Sequence, residues 1–91
     1  MNPYSIEKTP LDVLELLAQK VKLLRKERKM SQADLALRSK VSLGSYKRFE
    51  TTGHISLDSL LRIAFILGRL EEFEGLFKAN EYKKLEALFL E

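Results

Sequence analysis

Ninety-one residues suffice for one domain built on one modest core, and 45% apolar beside 32% charged residues describes a globular chain, not a disordered one. The absence of cysteine excludes a disulfide framework, and no uninterrupted apolar run approaches the length needed to span a bilayer. The opening MNPYSIEKTP also lacks the basic start and apolar run of a secretory signal, so a cytoplasmic chain without membrane attachment is expected.

A net charge of +3 conceals an asymmetry. Residues 20–50 carry ten Lys or Arg against Glu27, Asp34 and Glu50, a local balance of +7, whereas residues 71–91 carry six glutamates against Lys78, Lys83 and Lys84, a balance of −3. The first region is suited to meet an anion. A solvated helix face would produce the same run, so charge by itself leaves the two readings about even.

Residues 1–8 offer no sustained period and are expected to form a flexible arm. Thr9-Pro10-Leu11-Asp12 is a strong helix start: Thr9 caps, Pro10 suits the first helical position, and Asp12 complements the dipole. Leu14, Leu17, Val21 and Leu24 then recur at spacings of three and four, one stripe of a helix running to about Lys29. Leu16 and Leu23 fall off that stripe and suggest a second contact surface. Ser31 opens a second helix with Asp34 three residues on, and Leu35 and Ala36 form its small inward face. After a turn at residues 39–41, Ser42 caps a third helix that Gly53 ends.

Placing residues 42–50 at 100° intervals puts Tyr46 and Phe49 on one face of the third helix. Gly44, Lys47 and Arg48 fall on the opposite one, with Ser45 at its edge. The apolar face must pack, so the small, basic face points outward along about 12 Å of helix, close to the width of the B-DNA major groove. Glu50 projects on the packed side near Tyr46, where a lone carboxylate is costly, and Arg25 lies beside the stripe of the first helix. A salt bridge from Arg25 to Glu50 is therefore expected to tie the first helix to the third.

His54, alone in the next loop and without cysteine nearby, is assigned no chemistry. Ser56 caps a fourth helix whose apolar series is Leu57, Leu60, Leu61, Ala64 and Leu67, widened by Ile63, Phe65 and Ile66. Beyond Gly68, Leu70, Phe73, Leu76 and Phe77 form a short amphipathic segment. A last helix after Ala79-Asn80 carries Tyr82, Leu85, Leu88 and Phe89 on one side. The expected fold is all-α, a compact domain of five or six helices.

These residues carry a resemblance. The run LLRKERKMSQADLALRSKVSLGSYKRFE, followed by SLDSLLRIAFILG, resembles the phage-repressor and Cro type of helix-turn-helix, the Xre-like family, over about residues 17–68. The matches in register are Ser31-Gln32, Leu35-Ala36, Val41-Ser42, Arg48-Phe49-Glu50, and Leu60-Leu61-Arg62-Ile63-Ala64 with Leu67-Gly68. The resemblance implies a five-helix DNA-binding domain acting as a two-fold homodimer on a palindromic double-stranded operator, a transcriptional repressor of the autoregulatory kind. It supports the Arg25–Glu50 pair independently, because an arginine of the family's first helix commonly meets the glutamate matching Glu50. More narrowly, YKRFETTGHISLDSLLRIAFILGRLEEFEGLF resembles HipB-like antitoxins, which bind a toxin such as a HipA-like kinase.

On this reading residues 9–69 form the DNA-binding domain and residues 70–91 a C-terminal amphipathic helical extension for dimer or partner contact. The DNA-contacting candidates are Gln32, Ser42, Leu43, Gly44, Ser45, Lys47 and Arg48, with Thr51 and Thr52 as weaker phosphate contacts. Two departures from the family pattern stand out: Lys40 occupies the turn position often held by glycine, and Leu43 and Gly44 occupy reading positions without a side chain that hydrogen-bonds a base. The excess apolar surface of Phe65, Ile66, Phe73, Phe77, Leu85, Leu88 and Phe89 either forms the dimer or partner contact or completes a small core. No cofactor or metal is expected. An enzyme is a poor reading with one His, no Cys and no Gly-rich phosphate loop. A protein-interaction module without specific DNA binding is the alternative, since the acidic, amphipathic tail could dock a basic partner.

Overall fold

A computed structural model describes residues 8–78 and 81–90. Among them are six helices and no strand: α1 Pro10–Glu27, α2 Gln32–Ser39, α3 Leu43–Thr52, α4 Leu57–Ile66, α5 Glu71–Glu74 and α6 Glu81–Leu90. The arm expected over residues 1–8 lies almost wholly outside the described residues.

Local chemistry starts each of the first four helices. Thr9 and Ser31 each accept a backbone N–H from the acid three residues on, and that acid accepts the cap's own N–H, a reciprocal box at α1 and α2. Ser42 and Ser56 accept from Ser45 N and Ser59 N at the starts of α3 and α4. α1 ends at Glu27, two residues short of the sequence expectation, because Lys29 takes a left-handed conformation (φ 56°) and turns the chain. Lys40 is left-handed as well (φ 58°, ψ 39°), the conformation that glycine adopts without strain. Arg62 Nη1 of α4 donates to the Lys40 carbonyl at 2.9 Å, fastening this turn to the body of the domain.

The core lies where α1 meets α3 and α2 meets α3 and α4. Tyr46, Phe49, Leu35, Ile63 and Leu67 are fully buried at its centre. Each contributes roughly 1.5–3 kcal/mol by leaving water. Leu14, Leu17, Val21 and Leu24 are half-buried, while the fully covered positions of α1 are Ala18 and Arg25. Gly53 combines a left-handed backbone (φ +85°) with close approach: a Cβ there would lie 2.7 Å from the Leu14 carbonyl carbon. The glycine that stops α3 therefore also lets α1 pass against it.

The apolar residues held open by the sequence between core and interface divide. Ile66 and Phe73 are half-buried and pack against the core cluster. Phe65, Phe77, Leu85, Leu88 and Phe89 are exposed, Phe77 at 98% and Phe89 at 85%, so among the described residues they complete no core. Leu16 and Leu23 are exposed too. No helix among the described residues is long and apolar enough to cross a membrane.

Candidate nucleic-acid interface

The position of α3 is set from beneath by a carboxylate. Glu50, with 5% of its side chain exposed, receives Arg25 Nε at 2.8 Å and Arg25 Nη2 at 3.2 Å, a two-pronged pair from α1. Gln32 Nε2 of α2 donates to the same carboxylate at 2.9 Å, and the Tyr46 hydroxyl donates to it from one turn earlier on α3. The remaining Arg25 nitrogen, Nη1, donates to the Met30 carbonyl at 2.9 Å in the connection between α1 and α2. One acidic group thus joins three helices and the entry to the motif.

Burial works against the ionised form of Glu50. The hydrogen bonds from Arg25, Tyr46 and Gln32 outweigh it and hold the carboxyl below its ordinary range. Burial and the adjacent Glu50 charge push the Tyr46 phenol well above its ordinary value. The Glu50 hydrogen bond raises the Arg25 guanidinium in turn, so that arginine, carboxylate and phenol stay cationic, anionic and neutral at physiological pH. Tyr46 and Phe49 meet edge to face with ring centroids 6.2 Å apart, which keeps both rings beneath the helix and away from stacking on bases.

Above this base, α3 presents Leu43, Gly44, Ser45, Lys47, Arg48 and Thr51 to solvent. A Cβ added to Gly44 would meet nothing within 4 Å, so this part of the surface is open. Neither Lys47 nor Arg48 forms an ion pair with a described residue. Ser42 and Ser45 bond one another: Ser42 Oγ accepts Ser45 N–H at 3.1 Å and the two hydroxyls lie 2.8 Å apart. Thr51 and Thr52 donate their hydroxyl protons to the Lys47 and Arg48 carbonyls at 3.0 and 2.8 Å, and Thr52 Oγ1 also accepts the His54 backbone N–H at 3.1 Å. A phosphate, itself an acceptor, gains little from either.

Gln32 differs most from its sequence-based picture. It is half-buried and its side-chain amide is held by Glu50, leaving one amide hydrogen and the backbone N–H at the start of α2 to face a ligand. Nothing local announces this contact across 18 residues of chain. The Tyr46–Glu50 contact, by contrast, follows from i,i+4 spacing on one helix. Among the described residues no group of His, Cys, Asp and Glu could hold a metal ion.

The arrangement is a short helix with an open, cationic outer face, held at a fixed angle to the helix before it by a buried charge. A family model described as helix-turn-helix matches residues 21–73, more than half of the chain, and covers α2, α3, α4 and all but the last residue of α5. No curated protein and no solved structure matches.

Proposed function

The chain belongs to the Xre-like helix-turn-helix family and is a DNA-binding transcription regulator; we propose that it is a sequence-specific repressor acting as a dimer on a palindromic operator. The observation that carries this reading is the placement of Lys47 and Arg48. Both are exposed and unpaired among described residues, on the face of α3 opposite buried Tyr46, Phe49 and Glu50.

In this mechanism α3 enters the major groove and α2 lies across its mouth. Arg48 and Lys47 meet base edges or phosphate, and an arginine reading guanine with two hydrogen bonds supplies about 1–3 kcal/mol of discrimination. The Gln32 N–H, at the positive end of α2, holds a phosphate oxygen, with its side chain kept in register by Glu50. Gly44 admits the DNA surface closely, and Ser42 and Ser45 offer hydroxyls at the rim. Thr51 and Thr52 are the weakest members of the set, since their protons are committed within α3.

One reader helix covers only a few base pairs, so useful affinity calls for two copies per operator. The exposed apolar residues of the C-terminal extension, Phe77, Leu85, Leu88 and Phe89, support a contact with a second copy. Autoregulation makes the DNA upstream of the chain's own coding region the first operator to try. The toxin-binding role rests on the HipB-like resemblance alone, and repression by this mechanism needs no such partner.

The test is a binding titration on that upstream DNA and on random duplex across a range of salt. A specific complex that weakens steeply with salt is expected. Equal affinity for both duplexes at every salt concentration overturns the repressor reading and leaves the protein-interaction module.

A further inference from the structure

Where the end of α2 meets α4 lies an open cup of about 390 Å³, a volume at the lower end of small-ligand sites. Leu61, Phe65, Ile66 and Leu70 give it an apolar wall. Its polar residues are Arg38, Ser39 and Lys40 at the end of α2, with Asp58 and Arg62 on α4. Asp58 is paired with Arg62 at 2.8 Å, so the cationic surplus of the cup is carried by Arg38 and Lys40, both exposed and in no ion pair with a described residue. None of these residues belongs to the set assigned to DNA.

Two buried side-chain polar atoms among the described residues lack a hydrogen-bond partner, Ser39 Oγ and Arg62 Nε, and both of their residues line this cup. Arg62 commits its outer nitrogens elsewhere: Nη1 donates to the Lys40 carbonyl at 2.9 Å, and Nη2 meets Asp58 and the Ser59 hydroxyl. Its Nε–H can only donate, and the Ser39 hydroxyl can donate as well. A buried donor without an acceptor is costly, and one carboxylate has lone pairs enough for two. Ser39, 2% exposed, turns its hydroxyl by rotation about a single bond, and the Arg62 side chain is 41% exposed, so small movements bring both atoms to the cup.

We propose that this cup binds a small amphipathic carboxylate. The hydrocarbon body lies on Leu61, Phe65, Ile66 and Leu70, and the carboxylate accepts from Ser39 and Arg62 beside the cations of Arg38 and Lys40. An apolar wall excludes a bare inorganic anion as the best fit, because it would leave that wall uncovered. The cationic surplus disfavours an amine of the same shape.

The probe is octanoate, titrated into the full chain without DNA and followed through the backbone amide shifts by two-dimensional NMR. It should bind with a dissociation constant of about 1 mM or below and move the amides of residues 38–40 and 61–66 together. Octylammonium, with the same hydrocarbon chain and the opposite charge, should bind at least about tenfold more weakly. Ser39→Ala deletes a hydroxyl that the fold leaves unpaired, so it should melt no lower than wild type. It should weaken octanoate about tenfold, as expected for losing a hydrogen bond to a charged group, and leave octanol binding unchanged. Arg38→Gln, at an exposed position away from the core, should weaken octanoate about threefold. Absence of a saturable shift, equal binding of octanoate and octylammonium, or wild-type octanoate affinity in Ser39→Ala overturns the inference. Shifts at these amides that follow protein concentration and not octanoate also overturn it, and assign the cup to a second copy of the chain.

Discussion

Gln32 Nε2 donates to Glu50 Oε1 at 2.9 Å, so the first residue of α2 is fastened to the last turn of α3. The same carboxylate neutralises Arg25 from α1. The angle between the two motif helices is thus fixed by an internal charge pair and its hydrogen bonds, beneath a surface that stays open.

Replacing Glu50 by Gln keeps the shape and removes the charge. It leaves the Arg25 guanidinium, 10% exposed, without its counter-ion. Breaking one half of a buried pair costs about 3–5 kcal/mol, so Glu50→Gln should lower the unfolding free energy by several kcal/mol in a urea titration at neutral pH. A loss below about 1 kcal/mol would place the pair in the class of weak surface bridges.

The same pair predicts a pH dependence of definite sign. Hydrogen bonds hold the folded Glu50 carboxyl below the 4.5 of an unperturbed glutamate, so on acidification the unfolded chain takes up this proton first. Stability from Glu50 is fully present above that ordinary value and is lost as pH falls through the lower folded value. The urea midpoints of wild type and Glu50→Gln should therefore lie far apart at pH 7 and converge toward acid. A gap that stays constant into acid would contradict the depressed carboxyl.

Gly53→Ala tests the packing of α1 on α3 without touching any charge. The new methyl group would meet the Leu14 backbone at 2.7 Å on a backbone with φ +85°. A left-handed alanine costs roughly 1 kcal/mol and an overpacked contact a further 1–3, so a loss of roughly 2–4 kcal/mol is expected by denaturant titration. Gly44→Ala, with open space at its Cβ and a helical backbone, should cost nothing measurable and serves as the control.

Why some of this was legible from residues alone follows from the range of each interaction. The caps at Thr9, Ser31, Ser42 and Ser56 are encoded within three residues, and the sides of α3 follow from helical period, so Tyr46, Phe49 and Glu50 fall inward together. The Arg25–Glu50 pair is legible because a carboxylate on a packed face demands a cation, and Arg25 is the one beside the facing stripe. Gln32 on Glu50, Leu14 against Gly53 and Arg62 on the Lys40 carbonyl are different. Each joins residues 18 or more positions apart in a geometry no local pattern encodes. Phe65 and Ile66 look alike in sequence, yet only Ile66 meets the core, because which side of α4 faces α2 is decided by packing.

For the proposed DNA mode, Arg48→Ala should weaken binding to the operator by about 1–3 kcal/mol while changing affinity for random duplex much less. Lys47→Ala, if Lys47 meets phosphate, should weaken both duplexes alike and reduce the slope of log K against log salt by about one. Gln32→Ala should also lower both, and in addition lower the urea midpoint, because it removes a donor from Glu50. An Arg48→Ala variant that weakens both duplexes equally would reassign Arg48 from base to phosphate.

The C-terminal extension offers the sharpest division between stability and assembly. Among the described residues the core cluster and the apolar residues packed on it extend no further along the chain than Phe73, and the described side chains of α6, residues 85–90, are all exposed. A chain ending at residue 78 therefore keeps every core contact described here, and its unfolding free energy at dilute concentration should fall by no more than about 1 kcal/mol. Removing Leu85, Leu88 and Phe89 should instead abolish dimerisation, seen as a fall in mass by sedimentation equilibrium. The palindromic operator should then be bound with the weak, non-cooperative affinity of a single half-site. A truncated chain that unfolds would make α6 part of the core. One that stays dimeric would move the interface elsewhere, and exposed Leu16 and Leu23 on α1 are the surface to mutate next.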